Sequence, residues 1–92
     1  MPWAGVPDTT QALLRDFPHI AVHNLHHNAA ATAEYAVALL MAAAKFIVPV
    51  DQQLRLNDWS PRYAPSRSIG VADKTALIVG YGQIGQRVGR VC

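Results

Sequence analysis

The chain has 92 residues, of which 51% are hydrophobic and 15% are charged, a composition typical of a globular protein rather than a disordered one. Eight Lys and Arg against six Asp and Glu give a net charge of only +2, and the basic residues are scattered, which argues against nucleic-acid binding. The single cysteine, Cys92, excludes an internal disulfide and a CxxC motif and predicts a reducing, cytoplasmic location. We expect no signal peptide.

The first half of the chain alternates loops with apolar segments. Residues 1–8 predict a loop, 9–16 a short helix that ends before Pro18, and 20–22 a short strand. Residues 30–44 consist almost wholly of strong helix formers and predict a helix that is covered on most sides. Their longest apolar run is well below the ~18 residues of a membrane span, so we expect no membrane contact.

Proline shapes the middle of the chain. Pro49 is expected to end or kink the alanine-rich helix, and residues 50–56 predict a second short helix. Residues 57–68 are rich in Pro, Ser and Arg, and predict a long loop. Loops of this length are often functional or mark a domain junction, so we expect a domain boundary near residue 70.

A strand, a glycine turn and a helix are predicted next. Residues 74–79 form an apolar run without alternation, which indicates a strand buried on both faces, as in parallel sheets. The motif Gly80-x-Gly82-x-x-Gly85 follows at once. A helix is then indicated by apolar residues at helical spacing: Ile84, Val88 and Val91.

In this context the GxGxxG motif is the fingerprint of a dinucleotide-binding turn. Gly80 permits the tight turn, Gly82 lets a pyrophosphate approach the backbone, and Gly85 lets the helix pack closely. The amides of Gln83 and Ile84 would lie nearest to the phosphates. The alternative is a glycine-rich turn that binds nothing. The acidic residue that contacts the ribose is expected ~20 positions further on, so NAD and NADP are not separated here.

Four histidines stand close together, at positions 19, 23, 26 and 27. Their spacing fits no standard zinc pattern, and no cysteine or carboxylate joins them, so we predict no metal site. We interpret them as loop histidines or histidines at the rim of an active site.

Four segments, in this order, resemble the D-isomer-specific 2-hydroxyacid dehydrogenases. They are WAGV at residues 3–6, HNLHHNAAATAE at 23–34, LRLNDW at 54–59 and KTALIVGYGQIG at 74–85. The resemblance implies an α/β fold and a fragment of a two-domain, Rossmann-type dehydrogenase with a doubly wound parallel sheet. Residues 1–28 would end a substrate domain, 29–70 would form an interdomain helix and loop, and 71–92 would begin the NAD(P)-binding domain.

The resemblance also implies an activity, namely hydride transfer between NAD, with NADP not excluded, and a small D-2-hydroxy or 2-keto acid. Backbone amides of Ala4, Gly5 and Val6 would contact the substrate carboxylate, and Asn24 would lie near the nicotinamide. The pyrophosphate would lie on five residues of the turn: Gly80, Gly82, Gln83, Ile84 and Gly85. The family suggests a homodimer.

The chain departs from the family pattern at two places, and it offers no catalytic group. Pro7 stands where the family often has Asp, and His26-His27 replace a more usual Pro/Gly pair. The family's catalytic Arg, Glu and His lie beyond the glycine turn, so none is assigned here. Two other readings stay open: a non-catalytic dinucleotide-binding module, and a helical piece in which residues 29–50 bind a partner.

Overall fold

A computed structural model describes residues 5–92 of the chain, which form helices joined by extended or turning segments. In chain order the helices are α1 (Asp8–Leu14), α2 (Ala29–Ala44), α3 (Ile47–Arg55) and α4 (Gln83–Val91), with a 3-10 turn at Ser60–Arg62. The helices predicted from the sequence are confirmed by these bounds, with shifts of one to three residues at several ends. The WAGV segment lies partly outside the described residues.

The alanine-rich helix α2 is the longest element, as its composition predicts. Its buried residues are small: Ala29, Ala33 and Ala44. Large apolar side chains elsewhere on α2, such as Tyr35 and Leu39, are exposed. Among residues 5–92 the helices that pack most against α2 are α3 and α4, and the cover that the sequence predicts for its other sides is not supplied by these residues.

The break after α2 occurs earlier than the sequence predicts. Phe46 has φ 57°, in the left-handed region, and the axes of α2 and α3 differ by 66°. Pro49 neither ends nor kinks α2; it lies in the first turn of α3, where proline is tolerated because the backbone N–H there has no helical acceptor. The guanidinium of Arg67 stacks on the Phe46 ring at 4.6 Å and covers the junction.

The segment after α3 returns to the end of α2. The amide of Ile69 donates to the carbonyl of Ala44 at 2.8 Å, and Lys45 Nζ donates to the carbonyl of Ile69 at 2.9 Å. Within the loop, the Ser60 amide donates to the Asp58 carboxylate at 2.9 Å, which lowers the pKa of that carboxyl. The long loop is therefore held at defined points rather than free along its length.

Neither predicted strand forms among the described residues. Residues 20–22 and 74–79 have no regular secondary structure, and no neighbouring segment pairs with their backbones. A β-strand needs a hydrogen-bonded neighbour, and an apolar sequence alone cannot supply one. Side-chain exposure agrees with this correction, because Leu77 is 89% exposed and Val79 93% exposed.

The overall shape is elongated, with extents of 67 × 32 × 19 Å and a radius of gyration of 20.5 Å. A compact domain of this length has a radius of gyration of about 12 Å. The accessible surface is 7847 Å², against about 5,200 Å² for a compact protein of this mass. No single helix in residues 5–92 is long and apolar enough to cross a membrane, and only the bent pair of α2 and α3 reaches that length and hydropathy.

Candidate functional site

The glycine turn joins segment 74–79 to α4. Gly80 has φ +90°, a conformation that L side chains rarely adopt, so this position requires glycine. The backbone therefore reverses here as the motif predicts, although the segment before it is not paired in a sheet. The structure thus confirms the local geometry of the turn without the sheet.

Gly82 has open space around its Cα. It is the N-cap of α4, with φ −81° and ψ −155°, and a Cβ built on it would meet nothing within 4 Å. The first helical hydrogen bond runs from the Gln86 amide to the Gly82 carbonyl at 3.0 Å. The amides of Gln83, Ile84 and Gly85 precede it, so they have no acceptor within the helix and are available to an anion.

Gly85 is packed so closely that it has no space for a side chain. It is buried, and a Cβ there would overlap the carbonyl oxygen of Gly80 and lie 3.3 Å from Ile78 Cγ2. One helical turn later, a Cβ on Gly89 would lie 3.1 Å from Ile78 Cδ1 and 3.2 Å from the Tyr81 ring. The absence of side chains at these two glycines is what brings α4 against the turn.

The apolar face that the sequence predicts for α4 is only partly covered among residues 5–92. Val88 is half-buried, Ile84 is at the exposed limit and Val91 is exposed. The covered face instead carries Gly85 and Gly89. A helix needs close approach more than apolar bulk where it lies on a tight turn, so the glycines define the contact.

Side-chain hydrogen bonds hold the two sides of the turn together. Gln86 Nε2 donates to the carbonyl of Tyr81 at 3.2 Å. Arg87 Nη1 donates to the carbonyl oxygen of Gln83 at 2.5 Å and to Gln83 Oε1 at 2.9 Å. The contact between Arg87 and Gln83 is not among the sequence predictions, although the i, i+4 spacing of the two residues on a helix is a signal for it.

Of the three residues predicted to bind substrate, the structure describes Gly5 and Val6. Ala4 is outside the described residues, Gly5 is exposed, and Val6 lines a shallow groove with residues of α1. Gln11 Nε2 donates to the Val6 carbonyl at 2.9 Å. No residue of the glycine turn lines that groove. The predicted nicotinamide contact, Asn24, is in the extended segment before α2 and is exposed.

A second cavity, of about 400 Å³, lies where the long loop returns to the junction of α2 and α3. Three cationic side chains are among its lining residues: Lys45, Arg62 and Arg67. No sequence motif indicates this cavity. Among residues 5–92 no group of three or more His, Cys, Asp or Glu side chains could hold a metal ion.

An open Gly82, first-turn amides without helical acceptors and a closely packed Gly85 are typical of the glycine turn in the class of dinucleotide-binding proteins. The comparison with protein families narrows this class. Residues 37–92 match the family model described as "D-isomer specific 2-hydroxyacid dehydrogenase, NAD binding domain". The chain belongs to this family, which confirms the resemblance, the Rossmann-like α/β class and NAD as the cofactor.

Curated relatives agree with the family. The chain is 43% identical over 61 residues to a glyoxylate reductase of Korarchaeum cryptofilum, covering 64% of this chain and 18% of that protein. It is 34% identical over 65 residues to a D-3-phosphoglycerate dehydrogenase of Archaeoglobus fulgidus, covering 71% of this chain and 12% of that protein.

A third relative covers more of the chain. The chloroplastic D-3-phosphoglycerate dehydrogenase 3 of Arabidopsis thaliana is 27% identical over 88 residues, which are 94% of this chain and 14% of that protein. The chain thus spans less than a fifth of the length of each of these three relatives. No solved structure gives a significant match.

Proposed function

We propose that residues 80–85 hold the pyrophosphate of NAD in an NAD-dependent oxidoreductase. The full-length protein would transfer hydride between the nicotinamide and C2 of a small D-2-hydroxy or 2-keto acid. The observation that carries this proposal is the contrast between Gly82, which has open space around it, and Gly85, which has none. A glycine turn that binds nothing needs close packing, but it has no need of an open glycine beside free amides.

The residues of this chain would bind and orient the cofactor rather than react. The amides of Gln83, Ile84 and Gly85 would donate to phosphate oxygens, and the positive end of the α4 dipole would favour the anion. NAD supplies the hydride chemistry when it is bound. Binding here therefore contributes position and charge compensation.

The substrate and domain proposals rest on the family alone. Amides at Ala4, Gly5 and Val6 would contact a substrate carboxylate, with Asn24 on the nicotinamide side. Residues 1–28 would end a substrate domain, 29–70 would connect, and 71–92 would begin the cofactor domain. The names of the relatives point to glyoxylate and 3-phosphoglycerate as the first compounds to test. Exposed apolar side chains on α2 are consistent with a homodimer.

The test is a titration of the full-length protein with NADH, followed by nicotinamide fluorescence, with NADPH in parallel. Gly82→Ala is expected to weaken NADH binding roughly tenfold or more, because the methyl keeps the pyrophosphate from the amides. Gly70→Ala is the matched control, because a Cβ at Gly70 also meets nothing within 4 Å. Absence of NADH binding by the unaltered protein would overturn the proposal.

Turnover separates the enzyme from a non-catalytic module. We expect oxidation of NADH with glyoxylate, or reduction of NAD with 3-phosphoglycerate. Binding of NADH without turnover of any 2-keto or 2-hydroxy acid would favour the non-catalytic module.

A further inference from the structure

The guanidinium of Arg87 is folded back onto the first turn of α4. Its Nη1 donates both to the carbonyl oxygen of Gln83 and to Gln83 Oε1, at 2.5 Å and 2.9 Å. The side chain of Gln83, within the glycine turn, is thus held by Arg87, which lies one helical turn further along α4.

Chemistry fixes which end of the Gln83 carboxamide faces Arg87. A guanidinium carries only donors, so the group it contacts must be the amide oxygen. The NH₂ of Gln83 therefore faces away from Arg87. Gln86 differs, because its NH₂ donates to the carbonyl of Tyr81. Among the described residues the Gln83 NH₂ has no acceptor, which leaves two donors beside the open glycine Gly82.

Arg87 forms no ion pair within 4 Å among the described residues. No Asp or Glu occurs between Lys74 and Cys92, and the carboxylate of the helix that packs against α4 is Glu34 of α2, which is exposed. The ion pair seen among the described residues, between Arg55 and Asp51, lies in α3. A cation that bonds to the first helical residue without a carboxylate partner adds positive potential where the α4 dipole is already positive.

We propose that Arg87 is a positioning residue for the cofactor pyrophosphate. It holds the carboxamide of Gln83 by its oxygen so that the NH₂ donates to a phosphate oxygen. It also adds its own charge from one helical turn away. This inference rests on the proposed function, because it needs a pyrophosphate at residues 80–85, and it assigns no role in the chemical step.

The experiment compares the dissociation constants of NADH and of adenosine, which lacks phosphates, in the full-length protein. Arg87→Ala is expected to weaken NADH roughly tenfold, the size of one hydrogen bond to a charged group, and to leave adenosine unchanged. Arg90→Ala removes an exposed cation from the same helix and serves as the control, with a change in NADH affinity below about twofold.

A double-mutant cycle tests whether Arg87 acts through Gln83. Gln83→Ala is expected to weaken NADH binding to a similar degree. In the Gln83→Ala background, Arg87→Ala is expected to reduce NADH affinity by less than half of the binding free energy that it removes in the unaltered protein. Additive effects, an unchanged NADH affinity in Arg87→Ala, or an equal loss of adenosine would each overturn the positioning role. Failure of the unaltered protein to bind NADH would instead overturn the proposed function itself.

Discussion

Gly85→Ala is the substitution whose effect the structure defines most sharply. The new methyl would overlap the Gly80 carbonyl oxygen, lie 3.0 Å from the Gly80 carbonyl carbon and lie 3.3 Å from Ile78 Cγ2. Two of these three atoms belong to the backbone, which cannot rotate away as a side chain would.

Overpacking of a close contact lowers the free energy of unfolding by about 1–3 kcal/mol. Because the new methyl would clash with backbone atoms, we expect Gly85→Ala to lie toward the upper end of this range. Replacing glycine within a helix by alanine returns about 0.5–1 kcal/mol of propensity. We therefore expect a net destabilisation of about 1–2 kcal/mol, with weaker NADH binding because α4 moves away from the turn.

The assay is urea unfolding of the full-length protein combined with NADH titration. Gly82→Ala separates the two readouts, because open space at Gly82 predicts lost NADH affinity with stability changed by less than about 0.5 kcal/mol. If Gly85→Ala were as stable as the unaltered protein and bound NADH equally well, the close packing of α4 on the turn would be refuted.

Three further predictions concern the junction and its loop. Lys45→Met should lower the free energy of unfolding by about 0.5–1.5 kcal/mol, because the loop loses one of its two hydrogen bonds to the end of α2. Hydrogen exchange at the Ile69 amide should become faster, and unchanged exchange would contradict this prediction. Arg67→Ala should lower the free energy of thermal unfolding by about 0.5–1 kcal/mol, because the cation over the Phe46 ring is lost. In a Phe46→Leu background, Arg67→Ala should have no such effect. The pKa of Asp58 is lowered in the folded state, so its contribution to stability is present above the ordinary pKa of Asp and is lost as the pH falls through the lowered value. Asp58→Asn should therefore flatten acid unfolding in that window, and an unaltered profile would count against the hydrogen bond.

Local patterns predict the helices and the turn because their causes are local. The alanine-rich composition is sufficient for α2, and the spacing of Gly80, Gly82 and Gly85 is sufficient for the turn and the start of α4. The position of the bend is not predicted, because Phe46 is a bulky residue in a left-handed conformation and a pattern would place the break at Pro49.

Strand pairing and substrate contacts are not predictable from local sequence, because both depend on neighbouring parts of the protein. Residues 74–79 have the sequence of a buried strand, but pairing requires a neighbour at hydrogen-bonding distance, and none exists among residues 5–92. The predicted substrate residues carry no chemical signature of their own, since backbone amides at Gly5 and Val6 are shared by every sequence. The family supplies their assignment.

Segment 74–79 has one further consequence, for solubility. Leu77 and Val79 are almost fully exposed, and the backbone between them pairs with no segment among residues 5–92, so this stretch is an apolar template for pairing with another chain. Charged residues stand at its start, at Asp73 and Lys74, as gatekeepers do beside strands that must stay apolar. The same side chains that suit the segment to the middle of a sheet therefore make it the part of this chain most prone to aggregate until a neighbouring strand covers it.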